Sequence, residues 1–229
     1  MNLNQVIVKG VLTGFAVNAL LAGTVAAQSR GAASPIVWEN DRMIVQRVSL
    51  APGERLSRES TGGSVIVFLT ADLDGRSPAA EAAWRDPGPM TMENRGRVRF
   101  EALVVDLKGS AARPGGVTGP EVVRASGTVA PGVSGMYATA TRAQNLIVND
   151  RISVTKDRES FAAPIDPQHV HPQDGVVIYL RGGYVWPTSW FHGPDRVRRG
   201  DVRVIPGNVL HTSGNAGSDP LEFLLIMPA

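Results

Sequence analysis

Beyond the N-terminal segment, apolar side chains arrive in short bursts. Met43–Leu50, Ser64–Thr70, Val98–Asp106, Leu146–Thr155, Val176–Leu180, Asp201–Ile205 and Leu221–Met227 are rich in Val, Ile, Leu and Phe, and Gly, Pro, Asn or Asp bounds them. Runs of this length and β-branched content, with turn formers at both ends, predict strands. Helical spacing of apolar positions is scarce, and only the alanine-containing stretch Ser77–Trp84 has the makings of a short helix. Strand following strand, without the helix that a parallel crossover needs, predicts an all-β barrel or sandwich.

Composition narrows the chemistry. The 229 residues include 25 Gly and 16 Pro, which suits many turns. With 43% hydrophobic and 19% charged residues the chain is globular in composition. There is no cysteine, which excludes disulfides, Fe–S clusters and thiol nucleophiles. Lys+Arg 23 against Asp+Glu 21 leaves a net charge of +2 and no basic stripe, so nucleic acid is excluded as a partner.

Residues 1–27 read as a signal peptide. Lys9 is followed by the apolar run Val11–Ala22, and Val25 and Ala27 supply the small residues a signal peptidase requires. The expectation is a periplasmic or secreted protein with no membrane association after cleavage, exported by the general secretory route because no twin arginine precedes the run.

The remainder divides at 109–140, a Gly/Pro-rich linker between a first half, 36–108, and a second, 141–229. The halves read as diverged copies. Asn40-Asp41-Arg42 reappears as Asn149-Asp150-Arg151 at a strand opening, and Gly96-Arg97-Val98-Arg99-Phe100 echoes Gly200-Asp201-Val202-Arg203-Val204.

Only four histidines are present: His169, His171, His192 and His211. His169 and His171, two apart on an extended chain, face the same side. His211 closes Gly200–His211, a segment with Pro206 and a turn. Three convergent imidazoles with an open position suit a divalent metal ion. His192, between Phe191 and Gly193-Pro194, reads as a loop residue.

With these residues in view, the second half resembles the cupins, small jelly-roll β-barrels with two motifs. The first is Gly-x5-His-x-His-x3-4-Glu-x6-Gly, matched here by His169, His171 and Gly182. The second is Gly-x5-Pro-x-Gly-x-x-His-x3-Asn, matched by Gly200, Pro206, His211 and Asn215. The resemblance implies an all-β fold of two double-stranded β-helix (cupin/jelly-roll) barrels, the first shortened and degenerate. It also implies a metal site of His169, His171 and His211. Three positions depart from the motifs: Ala163 and Asn208 replace glycines, and Gly175 stands at the glutamate ligand position. Asp174 is adjacent but one residue out of register, which on a strand points it the other way unless it lies in the preceding turn. In the first half, Ser57-Arg58-Glu59 aligns with His-x-His, and the second motif is missing.

Other candidates carry lesser expectations. Tyr179 reads as barrel wall, and the aromatic stretch with Tyr184, Trp186 and Trp190 as either barrel mouth or an inter-barrel or dimer contact. Arg196, Arg198 and Arg199 read as a solvated hairpin or an anion clamp, and Asn215 as the brace of a turn. The function implied is a secreted cupin-domain protein binding one divalent metal, Zn, Fe, Mn or Cu. It would act on a small organic substrate by dioxygenase- or isomerase-type chemistry, with its acid/base group unidentified. The alternative is a non-catalytic small-ligand-binding or structural cupin that has lost the metal carboxylate. A homodimer follows from the family habit.

Overall fold

The computed structural model describes residues 34–76, 78, 81–109, 141–159, 170–186, 193–211 and 214–229. The expected signal peptide, nearly all of the expected linker, His169, Trp190 and His192 therefore lie outside the described residues. Fourteen strands are described. The first half contributes β1 (Ile36–Glu39), β2 (Met43–Leu50), β3 (Arg55–Ser60), β4 (Ser64–Phe68), β5 (Ala82–Arg85), β6 (Gly88–Glu93) and β7 (Phe100–Leu107). The second contributes β8 (Thr141–Val148), β9 (Ile152–Glu159), β10 (Gly175–Arg181), β11 (Gly183–Val185), β12 (Asp195–Val197), β13 (Val202–Ile205) and β14 (Leu221–Pro228).

All pairing is antiparallel, and the two halves repeat one topology. The first five-stranded sheet has the order β1-β2-β7-β4-β5, and the second, read from its β8 edge, has β8-β9-β14-β10-β13. Two-stranded sheets β3-β6 and β11-β12 accompany them. The shared strand opening is the same turn made twice. Asn40 Oδ1 accepts from the amides of Arg42 (2.9 Å) and Met43 (2.8 Å), as Asn149 Oδ1 does from Arg151 (2.9 Å) and Ile152 (3.0 Å). Such side-chain acceptors substitute for a backbone turn. The strand expected over Leu146–Thr155 is accordingly two strands, β8 and β9, with Asn149–Arg151 between them. The expected helix at Ser77–Trp84 is also corrected: Ala82–Arg85 is β5, paired with β4, because Trp84 packs on the core and Ala82 is buried in it. The described residues contain no helix long and apolar enough to cross a membrane.

Alternation along the strands sends one set of side chains between the sheets and the other into the barrels. Met43, Val45, Val65, Val67, Leu103 and Val105 of the first half meet Ile152, Val154, Val176, Ile178, Leu224 and Ile226 of the second in one cluster, all fully buried. Each barrel also has an interior. In the first, Val48, Leu50, Ile66, Met92, Phe100 and Val104 fill it, whereas Val177, Tyr179, Val185, Val197 and Leu221 line the second. Polar ties cross the junction reciprocally. Arg151 Nη1 donates to Gly62 O (2.9 Å), while Arg42 donates to Gln173 Oε1 and to Ala229 O (2.7 Å). Arg47 adds a bond to Gly200 O at 2.5 Å.

Because the largest core lies between the halves, the two should unfold together. Leu224→Ala, which removes a buried side chain from that core, should cost about 2–5 kcal/mol. Urea unfolding should remain a single transition by both tryptophan fluorescence and backbone circular dichroism. Two separated transitions would show that each barrel carries its own stability.

Candidate functional site

The register of β10 decides the site. Val176 pairs with Ile226 and Val177 with Leu225, so Gly175 opens the strand opposite Met227. Val177, Tyr179, Phe223 and Leu225 belong to the barrel interior, and Gly175, two residues before Val177, faces the same way. The position expected for a glutamate ligand therefore does point into the barrel. A Cβ placed on Gly175 would overlap the Met227 sulfur, so a thioether fills the space that a side chain at 175 would enter.

His171 and His211 come together here. Their rings are stacked, with centroids 5.0 Å apart and planes inclined by 29°. His211 is buried and its Nδ1 lies 2.9 Å from the carbonyl of Val209. A carbonyl can only accept, so Nδ1 carries the proton and the lone pair sits on Nε2. The His171 carbonyl accepts from the amide of Asn208 (2.7 Å), whose positive φ of 59° turns the chain back toward His211. His169 is outside the described residues, and among those described no three His, Asp or Glu form a metal-type cluster.

Asp174 is turned away from this pair. Its Oδ1 accepts from Gly207 N (2.8 Å) and its Oδ2 from Asn40 Nδ2 (2.9 Å) of the first half. Those bonds, the Gly207 amide foremost, hold its carboxyl below the usual range. Asp174 thus braces the turn beneath the site and the junction between halves. Asn215 braces another turn, as expected: Nδ2 donates to Asp219 O (2.7 Å) and Oδ1 accepts from Gly217 N (2.8 Å). Tyr179 is barrel wall against Phe223, and burial pushes its hydroxyl up to about 12, so it stays a neutral phenol. Tyr184, Arg196, Arg198 and Arg199 are exposed on or beside the β11–β12 hairpin, and Trp186 is half-buried.

Two carboxylates escaped the sequence reading. Asp157 pairs with Phe223 and Glu159 with Leu221, so both share the face of the interior cluster, and Glu159 is only 2% exposed. The counterpart of Glu159 in the first half is Leu50: Asn94 donates to the Leu50 carbonyl as Asn215 does to that of Glu159. No periodicity marks this, because polar residues on alternate positions of β9 read as its solvent face.

The first barrel shows what became of the same positions there. Ser64 pairs with Asp106 as Gly175 stands to Met227, so Arg58 and Ser60 are the counterparts of His169 and His171. This corrects the alignment of Ser57-Arg58-Glu59 by one residue, which on a strand exchanges the faces. Asn94 is likewise the counterpart of Asn215, which places Met90 at the His211 position. The second motif is present as a turn without its histidine, and the Gly96/Gly200 echo does not join equivalent positions. Inside, Arg58 donates to Asp106 Oδ2 and to Gln46 Oε1 (2.5 Å), while Ser64 Oγ donates to Asp106 Oδ1 (2.6 Å). A guanidinium holds the place of a cation. Burial pushes the Asp106 carboxyl up, against the opposing pull of Ser64 and Arg58.

No protein-family model and no curated protein matches this sequence. Solved structures do. A cupin 2 conserved barrel domain protein from Leptotrichia buccalis superposes with TM-score 0.57 at 16% identity, over 90% of this chain and 92% of that one. A salicylate 1,2-dioxygenase from Pseudaminobacter salicylatoxidans gives 0.58 at 9% identity, over 86% and 76%. A putative glyoxylate-induced protein from Pseudomonas aeruginosa gives 0.56 at 10%, over 85% and 78%. The chain has the cupin fold. Its two five-stranded sheets of like order make it a chain of two such units.

Two substitutions test these assignments. Arg58→Met leaves a buried carboxylate without its cation and should cost about 3–5 kcal/mol at neutral pH, whereas Arg58→Met/Asp106→Leu should regain most of it. Because Asp106 is already raised, Arg58→Met should gain stability as pH falls from 7 toward 4. Equal stability of the single and double variants would refute the ion-pair account. Asp174→Ala should cost about 1–2 kcal/mol. Asp174 is lowered in the folded state, so its contribution is present above the unfolded value near 3.8 and is lost as pH falls through the folded one. Chemical unfolding should show a larger difference between the two proteins at pH 7 than at pH 2.5.

Proposed function

We propose that the second barrel is a metal-binding pocket using His169, His171 and His211, in an exported protein that acts on a small organic molecule. The observation that carries the reading is the 5.0 Å stacked approach of the His171 and His211 rings, with the His211 tautomer fixed by Val209. The leader-like character of residues 1–27 supports export. The fold shared with a salicylate dioxygenase, which has been solved with gentisate, supports a small acidic aromatic compound as one substrate class to assay.

A bound metal would supply Lewis-acid stabilisation of charge on a substrate oxygen. The chain's own residues would do the rest. Val177, Tyr179, Val185, Phe223 and Leu225 would exclude water from the barrel, Tyr179 would offer a neutral hydroxyl, and Asp157 and Glu159 would put two carboxyl groups on the interior face. A second reading is a ligand-binding barrel without catalysis. It is favoured by the thioether of Met227 in the space where the family places a carboxylate.

Elemental analysis of untagged protein should find about one equivalent of transition metal per chain, lost in His171→Ala and His211→Ala while the fold is kept. Metal-free protein under every loading condition would remove the first reading. A thermal-shift screen with small acids would then test the second.

A further inference from the structure

The face-to-face packing of the two sheets leaves two flanks, where an edge strand of one half lies near an edge strand of the other. The internal repeat makes the flanks equivalent. At the first, β5 approaches β8, and Lys156 Nζ pairs with Glu81 Oε1. The counterpart of Lys156 is Arg47: each follows its turn asparagine by seven residues, and they pair with Leu103 and Leu224 at matching points of β7 and β14. The counterpart of Glu81 is Asp201. The Phe68 amide donates to the Glu81 carbonyl (2.9 Å) as the Tyr179 amide does to that of Asp201 (3.1 Å), and the next residues, Ala82 and Val202, pair with Val67 and Ile178. The ion pair is nevertheless not repeated. Arg47 Nη2 donates to Gly200 O (2.5 Å), and Asp201 Oδ2 accepts from the amide of Arg198 (2.8 Å). Among the described residues no carboxylate lies within ion-pairing distance of Arg47. In place of the pair there is a groove of about 320 Å³, lined by Arg47, Arg196 and Arg203 together with Val37, Gly200 and Val202.

We propose that this groove between the halves is a binding site for a small organic monocarboxylate, held by Arg47 and Arg196 with its apolar body against Val37 and Val202. It is a second site, made by both halves, and it does not require a metal at His171 and His211. Charge selects an anion. Arg203 is neutralised by Asp195 (2.8 Å), and Asp201 offsets one more arginine of the lining, which leaves one positive charge in excess. A half-buried guanidinium facing only a carbonyl keeps a full charge and further N–H donors for an acceptor from outside. Its planar fork matches a carboxylate in two parallel bonds. Val37, exposed on the edge strand β1, and half-buried Val202 add apolar surface beside the arginines, so an acid with a hydrocarbon body fits better than a bare inorganic anion. The volume is at the small end of ligand pockets.

Full-length untagged protein labelled with ¹⁵N is titrated with benzoate, benzamide and inorganic phosphate, and backbone amide shifts are followed. Benzoate should bind saturably, with its largest shifts at Val37, Gly200 and Val202. Benzamide, alike in shape but uncharged, and phosphate, charged but without an apolar body, should each bind at least about 10-fold more weakly. Arg47→Met should weaken benzoate by roughly 10–100-fold, the scale of a lost hydrogen bond to a charged group, and Arg196→Ala, at an exposed charge, by roughly 2–5-fold. Lys156→Met, at the equivalent point of the other flank, should leave benzoate binding unchanged. Benzamide or phosphate binding as tightly as benzoate would overturn the carboxylate assignment. Absence of saturable binding, or benzoate shifts at the groove that neither arginine variant weakens, would overturn the site. Benzoate lost in His211→Ala but kept in Arg47→Met would put the acid in the second barrel, which overturns the groove and leaves the barrel reading intact. Should Arg47→Met fail to fold, Arg196→Ala and the benzamide comparison decide.

Discussion

The back-to-back packing of two five-stranded sheets governs this molecule. Each sheet turns one face to the other half and one into its own barrel, so half of every central strand is committed to the partner sheet. Val176, Ile178 and Leu180 serve that interface, and Gly175, Val177 and Tyr179 serve the pocket. Neither face can be changed without regard to the other, because a shift of one residue would exchange them. At about 25 cal/mol per Å² of apolar area, the shared core supplies the stability that lets a barrel interior hold polar groups.

The two interiors use that allowance differently. The first is sealed. Phe100, Met92 and Leu50 fill it, and the point equivalent to the ligand positions holds the buried Arg58–Asp106 ion pair. The second keeps imidazoles, a thioether and two carboxylates on the inner face. One interior is filled by apolar side chains around an ion pair, and the other keeps more polar groups. Among the described residues, the β11–β12 pair has no counterpart in the first unit.

Much of this was legible in the sequence. The strands with strong β-branched runs, β2, β4, β7, β10 and β14, are close to where the pattern put them. Their edges and the weaker strands were not. β3 and β6 carry arginine, serine and threonine on exposed positions, and β5 borrows its order from pairing rather than propensity. The Asn-Asp-Arg turns were readable because a short side-chain acceptor explains them locally. The partner of Gly175 was not, since nothing along the chain says that β14 lies beside β10. The false echo of Gly96 with Gly200 has the same origin: strand openings look alike, and only hydrogen-bond register tells which are equivalent. The arginine at the first-half ligand position was misplaced by one residue for want of that register.

The crossed reach of Arg42 and Arg151 has a consequence for how such a chain arises. Each arginine finds its acceptors in the opposite unit, at corresponding loops. That is the signature of an isologous contact, in which identical surfaces exchange the same groups about a two-fold axis. A lone unit would meet those acceptors only on a second molecule and would come apart on dilution. Joined in one polypeptide, the contact is intramolecular, its effective concentration is fixed by the tether, and one copy is released to lose its pocket while the pair remains associated.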